Sequence, residues 1–133
     1  MVNFITQVLL YEKMTGDLQY HALMKRHRDW LFGRNPWGTS MFTGIPIDGE
    51  FPVDVHLPPT VLLNETPAGG LIDGPIYVST FKNLLGLTLT EADEFAQFQN
   101  EFVIYHDDIG DYSTNEPTMD GTADAILMWV LLE

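Results

Sequence analysis

"YHDDIGDYSTNEPTMDGTA" spans residues 105–123 and holds five carboxylates (Asp107, Asp108, Asp111, Glu116 and Asp120) with no Lys or Arg. It leads into the most hydrophobic stretch of the chain, "AILMWVLL". The three leading Asp residues crowd around Gly110, the composition of a tight turn. Pro117 fits the first turn of a helix, where a missing N–H costs nothing. Beyond it Met119, Ala123, Ile126, Leu127, Val130 and Leu131 recur at helical spacing, and Ala125, Met128, Trp129 and Leu132 make the other side apolar too. A helix apolar all round is expected to be buried on most sides. Glu116 would fall at its start. There the helix dipole favours the ionised carboxylate by ~0.3–1 kcal/mol, while neighbouring Asp charges and desolvation favour the proton. Two readings follow: an N-cap beside a solvated acidic turn, or a carboxyl that keeps its proton near neutral pH and serves as a general acid. A Ca²⁺ loop is not expected, because "DDIGDYSTNE" lacks the EF-hand alternation and its sixth-position Gly. No metal ligand set and no cofactor motif is assigned.

Upstream, Phe4, Ile5, Val8 and Tyr11 mark a helix over 2–14 with Gly16 as its stop. Asp17 is expected to cap a second helix to about Phe32, with Tyr20, Leu23, His27, Trp30 and Leu31 on one face, giving an antiparallel hairpin. From Gly33 to about Pro75, Gly and Pro dominate and periodicity is weak. The Phe, Trp, Ile and Val content there predicts a long ordered loop, the kind that usually carries function. A short helix is expected within 76–85 and another after Thr90. Residues 102–106 read as extended or irregular. The chain is therefore mostly helical with long loops. Its last helix needs more neighbours than the other segments supply.

The 133 residues suffice for one domain or for part of a larger one, and there is no Cys. The formal net charge is −13. Residues 1–34 carry five of the six basic side chains, so the acidity lies almost wholly in 35–133. Such a surface repels nucleic acid and anionic membranes, and it suits a neutral ligand, a cation or a basic partner. No apolar run reaches membrane-spanning length. No basic n-region or small-residue cleavage site marks a signal peptide.

Spacing in the opening stretch resembles the C-terminal signature of glycoside hydrolase family 9, the (α/α)6-barrel cellulases and related β-glucanases. That signature reads aromatic-x-Asp-x4-aromatic-x3-Glu-x-(Ser/Thr/Ala)-x3-Asn-(Ser/Thr/Ala). Tyr105, Asp107, Tyr112, Glu116, Thr118 and Ala123 match it, and Thr122 stands where the pattern has Asn. "LFGRNPWGTSMFTGIP" is similar to the family's "LGxNPxGxSxVTG" segment, and "AGGLIDGPIY" to its "GxLVGGP" segment. The three blocks keep the family's order over roughly residues 20–133. The resemblance implies an all-α fold, part of an (α/α)6 barrel. It implies an inverting β-glycanase acting on β-1,4-linked glucan or a related oligosaccharide, located outside the cytoplasm. Glu116 matches the catalytic proton donor, with Asp107 and Tyr112 shaping its surroundings. His56, in "VDVHLPP", falls at a Pro-His-His-Arg-type substrate element whose Arg position is Pro58.

Inverting hydrolysis needs a second carboxylate about 6.5–9.5 Å from the acid to activate water. In the family it comes from an Asp-Ala-Gly-Asp-like motif, and no such motif occurs in 1–133. The expectation is a C-terminal segment holding the acid without the base, inactive alone. Its partners would be the missing N-terminal part of the barrel, or a second copy in a homo-oligomer. Two further expectations concern single residues. Trp37 is either a sugar-stacking aromatic or a packing residue. Arg34 ties its loop to a carboxylate or to backbone carbonyls.

Overall fold

The computed structural model describes residues 1–133. Helix α1 runs Val2–Thr15 and ends at Gly16 in the left-handed conformation (φ 71°), whose N–H returns to the Glu12 carbonyl at 2.8 Å. Helix α2 covers His21–Leu31. It starts later than Asp17 predicts, because that carboxylate is used otherwise. Asp17 accepts the Gln19 backbone N–H (2.9 Å) and the Tyr11 hydroxyl (2.7 Å), closing the turn between the helices. The buried face of α2 is Met24 and Leu31, whereas Tyr20 and Leu23 are exposed. The expected face holds at its C-terminal end, where Leu31 is buried and Trp30 packs on the core, and turns towards Met24 nearer its start.

The region read as one long loop contains helix α3, Pro58–Leu63, with Pro at its first turn and Asn64 closing it at φ 56°. Strand β1 (Ile76–Tyr77) pairs antiparallel with β2 (Val103–Ile104), and helix α4 (Val78–Phe81) follows β1 directly. No α-helix forms between Thr90 and β2; the segment is turns and a single 3₁₀ turn at Ala96–Phe98. Helix α5, Met119–Leu132, completes the chain with Thr118 as its N-cap. Pro117 therefore lies before the cap, where it bridges to Ile72.

Helix α1 packs on both α2 and α5, joining the two ends of the chain. Val2, Ile5 and Val8 of α1 meet Met24, Leu31, Met41, Phe42, Ala125 and Met128 in one core. Phe32, Phe42 and Trp129 interlock there with ring centroids 5.2–5.5 Å apart. Helix α5 is less covered than its sequence predicts. Ala125 and Met128 are buried, but Ile126 (64%) and Val130 (62%) face solvent. No helix is long and apolar enough to cross a membrane.

Candidate active site

The turn at 105–115 is held by its own carboxylates, each with a distinct set of donors. Asp108, 5% exposed, accepts the backbone N–H groups of Thr90, Glu91 and Gly110, and the Thr90 hydroxyl. This explains the missing helix after Thr90: the side chain expected to cap it is bound across the chain instead. At Gly110 only hydrogen fits, since a Cβ would sit 1.9 Å from the Thr88 carbonyl oxygen. Asp111 is fully buried against His106, whose Nδ1 lies 2.7 Å from Asp111 Oδ2. Burial opposes the Asp111 charge, but hydrogen bonds from His106, Ser113 and Thr114 outweigh it and hold the carboxyl below its usual range.

Asp107 reaches outward to a segment more than fifty residues upstream. Its Oδ2 accepts the Val53 N–H at 2.8 Å; its Oδ1 accepts the Asp54 N–H at 3.0 Å and the Asn115 amide at 2.7 Å. Burial nevertheless pushes its pKa up, further than these donors pull it down. Asn115 is a fully buried hub. It also donates to the Asp54 carbonyl at 2.9 Å, and its own carbonyl accepts the His56 N–H at 2.9 Å. His56 Nδ1 meets the Ile109 carbonyl at 2.6 Å, and its ring stands edge-on to Tyr112 with centroids 6.1 Å apart. The Tyr112 hydroxyl donates to the Leu85 carbonyl at 3.0 Å. So Asp107 and Tyr112, chosen from one signature, are brought together with His56, chosen from another segment, by this network of contacts.

Trp37 is not part of that surface. It is 4% exposed, its Nε1 donates to Gln99 at 3.1 Å, and its ring packs edge-on against Tyr105. A buried indole held at both face and edge has no side free for a sugar, so the packing reading replaces the stacking one. Arg34 pairs with Asp29 at 3.1 Å, as expected of a loop tie, with Arg28 on the same carboxylate at 2.7 Å.

Glu116 is exposed, and it stands two residues before the cap of α5 rather than in the helix. The dipole benefit, confined to the first turn, falls on Asp120 instead. What holds Glu116 in place is a short antiparallel ladder. Gly74 N–H donates to the Thr114 carbonyl (2.9 Å), Asp73 N–H to the Glu116 carbonyl (3.1 Å), and Thr118 N–H to the Leu71 carbonyl (3.1 Å). Thr122 ends the ladder, its hydroxyl accepting the Leu71 N–H at 3.1 Å. The residue that departs from the signature therefore has a structural task.

Asp73 was missed by sequence reasoning, although its position was visible: it occupies a Gly of the "GxLVGGP" pattern. With Asp120, Asp124 and Trp30 it lines a cavity of about 420 Å³ between the starts of α1 and α5. Burial, then the charges of Glu116 and Asp120, raise its pKa to about 6. Asn115 was missed as well, and no local pattern marks it.

The sequence model of glycosyl hydrolase family 9 matches residues 1–131. The chain belongs to glycosyl hydrolase family 9. Comparison with curated proteins and with solved structures gave no match. Membership makes this a hydrolase-family chain of the (α/α)6-barrel class with a carbohydrate substrate, and its helices are in keeping with part of such a barrel.

Proposed function

We propose that the chain is the acid-bearing part of an inverting β-glycanase, acting on β-1,4-linked glucan or a related polysaccharide. Glu116 is the proton donor. The observation that carries the reading is the clamp between the signature turn and residues 53–56, which fixes His56 beside Tyr112, four residues before the exposed Glu116. The Ile109 carbonyl can only accept, so His56 carries its proton on Nδ1 when neutral. Nε2 is then an acceptor for a sugar hydroxyl. Asp107 serves through this clamp, because all its short contacts are to protein donors. The water-activating carboxylate comes from outside residues 1–133, so this chain by itself does not turn over substrate.

The exposed apolar side of α5 favours a second reading for the isolated chain. Met119, Ile126, Leu127 and Val130 face solvent, so the chain self-associates or docks a separate N-terminal piece through that side. A monodisperse monomer in concentrated sedimentation runs would refute self-association.

Amide and side-chain NMR of the chain with a soluble cello-oligosaccharide tests the main reading. Perturbations should centre on His56, Tyr112 and Glu116, with no sugar released. Their absence from these residues, or turnover abolished by Glu116→Gln, would overturn it.

A further inference from the structure

Antiparallel pairing decides which side chains meet. Ile72 and Pro117 form a bridge, flanked on one side by Asp73 N–H to Glu116 O and on the other by Thr118 N–H to Leu71 O. One step along the ladder, Asp73 stands opposite Glu116. Opposed residues on such a pair share a face, with Cβ atoms about 4.5–5.5 Å apart. Ile72 takes the inward side at 3% exposure. Its neighbour Asp73 therefore turns outward, and so does Glu116. Like charges directly opposed on a ladder repel, and a proton on either carboxyl relieves the strain.

We infer that Asp73 and Glu116 form an opposed carboxyl pair, with Asp73 the positioning partner of the general acid. The function assigned to the pair rests on Glu116 being that acid. When Glu116 passes its proton to the leaving oxygen, both members are charged and opposed, and the pair draws one proton back from water. Asp73 thereby favours return of the pair to its singly protonated form.

The surroundings act in the same direction. From α5, Asp120 and Asp124 face the same cavity, Asp124 being hydrogen-bonded to the Asn3 amide of α1 at 3.0 Å. The cavity wall includes no Lys or Arg side chain. The elevation of Asp73 to about 6, with Glu116 as its leading charged cause, agrees with the geometry.

Carboxyl-carbon NMR titration of the full 1–133 chain tests the pair. In Glu116→Gln the Asp73 midpoint should fall, yet stay above the ordinary value of about 3.9, because partial desolvation and the Asp120 charge remain. An Asp73 midpoint unchanged from wild type would overturn the inference. If Glu116→Gln loses its folded amide spectrum, the wild-type curves decide. Two inflections on both carboxyls mean coupled titration; one independent inflection on each refutes it. The titration reads only carboxyl coupling, and the oligosaccharide mapping reads only the sugar site, so either can fail without the other.

Discussion

Replacing Asp107 by Asn changes one atom and a charge, and the structure sets what that should cost. Oδ1 accepts two donors, Asp54 N–H and the Asn115 amide, so the new amide oxygen takes that place. The new NH₂ then faces the Val53 N–H, formerly bonded at 2.8 Å. Two donors meet there with no acceptor, and because Val53 is half-exposed the penalty lies at the low end, about 1 kcal/mol. The two surviving bonds lose their charge assistance, which removes roughly another 1 kcal/mol in all. Against this, the buried charge itself is removed, and burial already disfavours it. A net loss of about 1–2 kcal/mol is expected. Urea unfolding measures it, and hydrogen exchange localises it. The amides of Val53 and Asp54 should exchange faster than in wild type, while those in the middle of α1 should change only with global stability. A stability within about 0.5 kcal/mol of wild type, together with unchanged protection at Val53 and Asp54, would refute the clamp.

Three further outcomes follow from the same contacts. Gly110→Ala should destabilise the chain by about 1–3 kcal/mol or more, since its methyl meets the Thr88 carbonyl and the backbone must shift; thermal melting reads this. Asp111→Ala leaves His106, Ser113 and Thr114 without their acceptor and should cost about 3–5 kcal/mol, measured by urea unfolding. The Asp111 pKa is depressed in the fold, so the stability it brings is present above the unfolded value near ~3.9 and is lost as pH falls through the folded one. Asp73 works with the opposite sign. The folded state binds its proton more tightly, so its effect lowers stability as pH rises from ~3.9 to about 6. Melting temperatures taken across that window should fall less steeply in Asp73→Asn than in wild type.

Local signals and long-range pairing divided what the sequence could reveal. Gly16 ends α1 in the conformation a glycine permits, so that boundary was legible. Helix α3 was legible in principle, from Pro58 and Pro59 at its start and Asn64 at its end, but the surrounding Gly and Pro content masked it. Asp17 and Thr90 both have cap chemistry, and both are spent elsewhere: Asp17 on Tyr11 and Gln19, Thr90 on Asp108. His56 came from a separate segment, while the spacing of residues 105–123 pointed to the family and singled out Asp107 and Tyr112. It placed Glu116 at a helix start, whereas a ladder to residues 71–74 holds it. Nothing local predicts that pairing, so Asp73 and Asn115, whose importance depends on partners across the fold, stayed hidden.

Helix α1 packs against α5, and the Asn3 amide bonds to Asp124 across 121 positions of sequence. Val2, Ile5 and Val8 share one buried cluster with Ala125 and Met128, so this part of the core forms only when the two segments meet. Until the two meet, the apolar side of α1 has α2 as its neighbour. Closure across so long a separation is slow, and such exposed surface aggregates. Refolding, more than the finished fold, is where the chain is expected to be lost to aggregation.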